Sequence, residues 1–197
     1  MTNPKIILIG GGGHCKSCID VIETEGRYPI YGILDIQENI GKKILNYPII
    51  GTDNDIPKLI QENYHFLITI GQIKSNELRL RIFQLLNSHN ANLPVIISPF
   101  AHVSKHSKIN AATIIMHHAI VNADATIGEN CIVNSKALIE HDVAVGNHCH
   151  IAPGAILNGG VKVGNGTFVG SGSVVTQGLT ITENSFIKAN SFIKANL

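Results

Sequence analysis

The stretch VNADATIGENCIVNSKALIEHDVAVGNHCHI, residues 121–151, carries an aliphatic residue at every sixth place: Val121, Ile127, Val133, Ile139, Val145 and Ile151. The same register runs without a break from Val103 to Ile193, sixteen aliphatic positions in succession. Four places further on the residue is mostly small, as at Ala119, Ala125, Cys131, Ala137, Cys149 and Ala155. A period of six fits neither an amphipathic helix nor an alternating strand. It fits a hexapeptide β-helix, in which each hexapeptide supplies one short strand and one turn. Three hexapeptides close a triangular coil of about 18 residues, with the aliphatic residue of each pointing inward. Residues 103–197 are long enough for a little over five such coils. Stacked Val and Ile fill the narrow core, which explains why aromatics make up only 5% of the chain.

Residues 1–100 follow a different pattern and hold 18 of the 29 charged residues. Residues 5–9, 30–34, 66–70 and 93–97 read as short buried strands. Between them lie helical stripes: Cys15, Cys18, Ile19 and Ile22, then a short helix capped by Thr52 or Asp53 and reaching Gln61, then Leu78, Ile82, Leu85 and Leu86 behind Ser75. Strand–helix alternation predicts a small Rossmann-like parallel sheet with helices on its faces. The expected organisation is thus an α/β domain over 1–100 followed by a parallel β-helix over 101–197.

The balance of 15 basic and 14 acidic residues, a net charge of +1, does not suit a nucleic-acid or acidic-membrane binder. No apolar run reaches the ~18 residues of a membrane helix, and residues 1–9 do not read as a signal peptide. A cytoplasmic protein with four reduced cysteines is expected. Cys15 and Cys18 share the apolar stripe of their helix and read as core residues. Cys131 and Cys149 stand one coil apart and read as stacked core residues. The Gly10–Gly13 run follows a strand and opens a helix, where backbone N–H groups can bind phosphate. The G-x-G-x-x-G pattern of dinucleotide dehydrogenases is absent, because Cys15 stands at its sixth place.

These segments together resemble a known family. IILIGGGGHC at 6–15, GILD at 32–35, FLITIG at 66–71 and NSKALIEHD at 134–142 are similar to the NeuD/PglD-type sugar O-/N-acetyltransferases, which are hexapeptide-repeat, left-handed β-helix acyltransferases. The resemblance covers nearly the whole chain. It implies an acetyl-CoA-dependent transferase acting on the amino group of a nucleotide-linked amino sugar in bacterial surface-glycan biosynthesis. It also implies a homotrimer with acetyl-CoA lying between neighbouring β-helices, and no metal. Two alternatives stand beside this reading: O-acetylation of a sialic-acid-like sugar, and a non-catalytic β-helix scaffold. Carbonic anhydrase chemistry is disfavoured, because His117, His141 and His150 are not arranged in the spacing expected of its metal triad.

The resemblance places the general base at His141, in a turn rather than at an inward position. Histidine suits this task because its pKa lies near working pH. Asp142 stands where relatives often have Glu and would orient the ring; Glu140 is the rival partner. His150, ahead of Ile151-Ala152-Pro153-Gly154, would lie near the thioester or the pantetheine arm, with Gly154 and Gly170 letting the cofactor approach. Gly11, Gly12, Gly13 and His14 would hold the nucleotide sugar, and Asp35 would accept a hydrogen bond from its base or ribose. His117, His118 and His148 read as ordinary turn residues. The doubled SFIKAN at 185–196 departs from the family's usual Gly-x-Pro-Ala-Lys tail.

Overall fold

The computed structural model describes residues 4–73 and 75–197. The chain forms two compact units, the first ending at Pro94 and the second running from Val95 to Leu197.

The first unit is built on β1 (Ile6–Ile9), whose four aliphatic residues are all buried. It pairs in parallel with β2 (Ile30–Leu34) on one side and with β5 (His65–Ile68) on the other. A hairpin of β3 (Lys43–Ile44) and β4 (Tyr47–Gly51) extends the sheet beyond β2, giving the order β3-β4-β2-β1-β5. Helices α1 (Gly13–Glu25), α2 (Ile56–Gln61) and α3 (Glu77–Ser88) complete the unit. Thr52 and Asp55 form a capping box ahead of α2, with Thr52 Oγ1 accepting from the Asn54 N–H at 3.3 Å and Asp55 Oδ2 from the Thr52 N–H at 2.8 Å. Cys15 and Cys18 are buried on α1, as the apolar stripe predicts, and burial pushes the Cys15 thiol up to about 11 and that of Cys18 higher still.

On α3 the sequence reading needs correction. Leu78 is 50% exposed, whereas its neighbour Arg79 is 1% exposed. The Arg79 guanidinium donates from Nη1 to the carbonyls of Ile68 and Ile70 at 2.7 and 2.9 Å. Main-chain acceptors at the end of β5 must be satisfied once buried, and that need overrides the apolar stripe.

The second unit consists of two-residue strands in three parallel sheets of six, five and six strands. Each strand pairs with the one 18 residues on, as Ile132 and Val133 do with His150 and Ile151. One residue of each pair points inward, and Val121, Ile127, Val133, Ile139, Ile151 and Leu157 are fully buried in one continuous core. Each such side chain contributes about 1.5–3 kcal/mol through its burial. Main-chain hydrogen bonds join the coils, for example Ile132 N–H to the Cys149 carbonyl at 2.9 Å. Inside one edge runs a ladder of small polar groups. Cys131 N–H donates to Thr113 Oγ1 at 2.9 Å, Cys149 N–H to Cys131 Sγ at 3.4 Å and Ser185 N–H to Thr167 Oγ1 at 3.3 Å. Cys131 and Cys149 are therefore stacked core residues.

The register also starts earlier than Val103. Ile96–Ile97 pairs with Ile114–Ile115 and belongs to the solenoid rather than to the first sheet, correcting the strand expected at 93–97. Ile97 stands six residues before Val103, so the same column claims it.

Candidate active site

The first unit carries a cavity of about 1110 Å³, lined by the glycine turn between β1 and α1 and by the residues after β2. Gly11, Gly12, Gly13, His14 and Asp35 all line it, so the five residues singled out in the sequence are gathered in one place. Asp35 clamps the turn: Oδ2 accepts the Gly11 N–H at 2.8 Å and Oδ1 the Ile36 N–H at 2.7 Å. A Cβ on Gly11 would stand 2.5 Å from Asp35 Oδ2, so this close approach requires glycine. Helix α1 starts with no side-chain cap and no acidic residue in its first turn. Its N-terminus thus presents main-chain donors beside the cavity, a feature that favours anions. His14 Nε2 lies 3.4 Å from Cys18 Sγ. Arg81 and Asp53 also line the cavity, 3.5 Å apart. Partial burial raises the Asp53 carboxyl above the ordinary range, opposed by Arg81.

In the solenoid, Glu140, His141 and Asp142 form the turn between the strands Leu138–Ile139 and Ala144–Val145. Asp142 has φ +61°, a left-handed conformation that Asp tolerates better than most residues. Its Oδ2 lies 2.7 Å from His141 Nδ1, and both side chains are about two-thirds exposed, at 64% and 65%. The hydrogen bond that the ring donates to Asp142, helped by the charges of Asp142 and Glu140, raises the imidazole pKa above its ordinary value. Glu140 is engaged elsewhere: Oε2 accepts from Asn122 Nδ2 at 2.9 Å and from the His141 N–H at 3.3 Å. The ring's partner is therefore Asp142, and Glu140 shapes the turn.

His150 begins the strand His150–Ile151 and is buried. Its Nε2 lies 3.1 Å from Asn134 Nδ2, and its ring meets Phe168 edge-on at 5.2 Å. Asn134 Oδ1 accepts the Ser135 N–H at 2.8 Å, which orients the amide so that its NH2 faces the imidazole. Nε2 then accepts and the ring proton sits on Nδ1. Asn134 was not singled out in the sequence. His141 stands at the corner between two of the sheets and His150 in a strand of the third, so they lie on different sides of one chain's β-helix. Gly154 occupies a left-handed turn with φ +68°, and open space surrounds it. A Cβ on Gly170 would stand 2.4 Å from the Ala189 nitrogen, so close stacking of the last coils already demands glycine there. An open groove of about 460 Å³ crosses the sheet that begins after the His141 turn, lined by Ala144, Gly146, Lys162, Gly164 and Thr180 among others. Among the described residues no group of three His, Cys, Asp or Glu is gathered to hold a metal, and no helix is long and apolar enough to cross a membrane.

Comparison with known proteins agrees with both units. The family model of the PglD N-terminal domain matches residues 5–86, and that of the bacterial transferase hexapeptide (six repeats) matches residues 124–159. A solved histidine-to-asparagine variant of perosamine N-acetyltransferase from Caulobacter crescentus, in complex with CoA and GDP-perosamine, superposes with a TM-score of 0.92 at 29% identity. That match covers 100% of this chain and 91% of the other. The chain is similar over its whole length to a solved sugar N-acetyltransferase, and its first unit matches the PglD N-terminal domain model.

The acetyltransferase domain of PglB from Neisseria gonorrhoeae, in complex with acetyl coenzyme A, gives a TM-score of 0.92 at 28% identity over 100% of this chain and 93% of that one. WeeI from Acinetobacter baumannii, 15% identical over 95% of both chains with a TM-score of 0.75, shares the fold. No curated protein matches the sequence. The protein is thus an acyltransferase with a Rossmann-like N-terminal domain and a left-handed parallel β-helix.

Proposed function

We propose that this transferase moves the acetyl group of acetyl-CoA to the amino group of a nucleotide-linked amino sugar in bacterial surface-glycan biosynthesis, with His141 as general base. The observation that carries the reading is the exposed His141–Asp142 pair, 2.7 Å apart, in a protein whose solved relatives hold CoA, acetyl-CoA and GDP-perosamine. The sugar nitrogen attacks the thioester carbonyl, forming the C–N bond. His141 takes the proton that the nitrogen loses as the C–S bond breaks, and that proton ends on the CoA sulfur. Asp142 holds the ring through Nδ1, leaving Nε2 to face the acceptor, and stabilises the imidazolium.

The glycine turn at Gly11–Gly13 receives the diphosphate, with His14 beside it. Asp35 holds the turn in shape and offers its remaining lone pairs to the base or ribose. His150, Gly154 and Gly170 serve acetyl-CoA. Their separation from His141 within one chain supports a homotrimer, in which the cofactor lies between one chain's His141 corner and its neighbour's His150 face. The diphosphate-ready turn favours a nucleotide-linked acceptor over a free sialic-acid-like sugar, which has no phosphate to offer.

Calorimetry on the whole chain tests the assignment of ligands. CoA and a nucleotide-linked 4-amino sugar are expected to bind, and a free sialic acid is not. Binding of the sialic acid, without any nucleotide sugar, supports O-acetylation instead; binding of neither CoA nor any sugar leaves a scaffold. Asp35→Ala leaves the half-buried Gly11 N–H without its acceptor, a loss of about 1 kcal/mol that loosens the glycine turn. Titration of the variant is expected to show weaker nucleotide-sugar binding with unchanged CoA affinity.

The pH dependence has a definite sign. A base works as neutral imidazole, so the acid limb of kcat/KM is expected above the ordinary histidine value of 6.5. Asp142→Asn removes the charge that raises it, and the limb is expected to move to lower pH as the rate falls. The same pair favours the folded state below the unfolded pKa, and that contribution is lost as pH rises through the folded one. At so exposed a site it has little influence on stability.

A further inference from the structure

We propose that Gly159 is a positioning residue of the transferase, whose missing side chain is the seat of the His141 ring. The proposal rests on the reading of His141 as the base. Gly159 lies one coil after His141, at the same place in its turn. An ideal Cβ built on it would stand 2.7 Å from His141 Cε1, 2.8 Å from Nε2 and 3.3 Å from Nδ1, and those three ring atoms are its nearest neighbours. The imidazole therefore lies across the Gly159 backbone. The φ of Gly159 lies outside the left-handed region, so the turn itself does not ask for glycine there. The glycines that follow the aliphatic column differ: at Gly164 and Gly170 the nearest obstacle is the main chain of the next coil.

The preceding coil completes the seat. Its equivalent residue is Ala123, whose carbonyl accepts the Asp142 N–H at 3.2 Å, while the His141 carbonyl accepts the Gly160 N–H at 3.0 Å. Asn122 reaches across from that coil to Glu140, which in turn accepts the His141 N–H. The ring thus has small residues before and after it in its column, and its turn is pinned on both sides. The carboxylates of this corner are Glu140 and Asp142 in the ring's own turn and Asp124 one coil before. Asn158, Gly159 and Gly160 on the following coil bring no charge. A ring lifted off Gly159 leaves its place against Asp142, and a displacement of about 1 Å at a reacting group costs on the order of 10²-fold in rate.

The test is Gly159→Ala in the full chain, with Gln177→Ala one coil further on as a control in the same column. The expected result is a kcat lowered by about 10²-fold with KM for both substrates nearly unchanged. In the same variant the NMR titration midpoint of His141 is expected to fall toward the ordinary histidine value, because the Asp142 contact is weakened. Gln177→Ala changes neither. Thermal unfolding of Gly159→Ala, His141→Ala and the double variant separates ring displacement from general damage. Any loss caused by the added methyl is expected to vanish once the ring is absent. An unchanged His141 titration in Gly159→Ala overturns the proposal, whatever the activity. So does a lowered midpoint with unchanged kcat, provided that His141→Ala is inactive. If His141→Ala itself retains full activity, the assignment of the base fails, while the NMR result still decides whether Gly159 seats the ring.

Discussion

His141→Ala is expected to lower kcat for acetyl transfer by about 10²–10⁴-fold, the range contributed by a positioned general base. The loss should fall on kcat rather than KM. His141 stands on an exposed turn and makes its one close polar side-chain contact with Asp142, so little of the substrate's ground-state binding depends on it. The fold should be untouched, because the hydrogen bonds that hold the turn run through the main chain of Gly160 and the side chain of Glu140. Steady-state kinetics at saturating acetyl-CoA, together with a circular-dichroism melt matching the wild type, checks both halves. A variant that keeps its rate sinks His141 as the base. Asp142→Asn should fall between the two, because it leaves the imidazole in place and removes only its charged partner.

Ile139→Ala carries the largest expected effect on stability. Ile139 is fully buried between Val121 and Leu157 of its own column, its strand pairing with theirs on either side. Removing its branched chain leaves a void that main-chain ladders on all three sheets keep from collapsing. The cost of such a truncation is about 2–5 kcal/mol. In a solenoid each coil touches chiefly its neighbours, so the damage should be local. Urea denaturation is expected to show a lower midpoint for the β-helix. Hydrogen exchange should speed most in the strands Ile120–Val121, Leu138–Ile139 and Ile156–Leu157. An unchanged midpoint would contradict the view that the six-residue column forms the core.

Much of this architecture was legible because a solenoid writes its geometry as a period. Once Val103, Ile109 and their successors are read as inward positions, coil length, strand placement and the stacking of Cys131 on Cys149 follow. Ile97 fits the same column, yet the apolar run at 93–97 looks equally like the last strand of a Rossmann-like sheet, and periodicity over one step cannot choose. The first unit was harder to read. Its helix α3 buries Arg79 and exposes Leu78, because two carbonyls at the end of β5 require donors, and no apolar stripe encodes that demand. The hairpin at Lys43–Gly51 is equally hard to read, since its first strand has only two residues and its second, YPIIG, shows no clean alternation.

The site residues divide in the same way. Gly11–Gly13, His14 and Asp35 were found through the strand–turn–helix context, and the cavity gathers them. His141 and Asp142 were found through their motif. The residues around this turn and around His150 were not: Asn122 bonds to Glu140, Asn134 to His150, and Gly159 lies under the His141 ring. Two of these were within reach, because adding or subtracting one coil length from Glu140 and His141 gives Asn122 and Gly159. What the period could not supply was the direction of the side chains. The bond from Asn122 to Glu140, rather than to the ring, needs three-dimensional coordinates.

The proposed reaction is transfer of an acetyl group to a sugar nitrogen with His141 as base. It is tested most directly by incubating the whole chain with acetyl-CoA and a matched pair of nucleotide-linked sugars that differ only in bearing a 4-amino or a 4-hydroxyl group. Mass spectrometry and proton NMR then read which product forms. One acetyl group, held as an amide, is expected on the amino sugar alone, made by the wild type and not by His141→Ala. An ester on the hydroxyl sugar, or an amide formed equally well without His141, would contradict it.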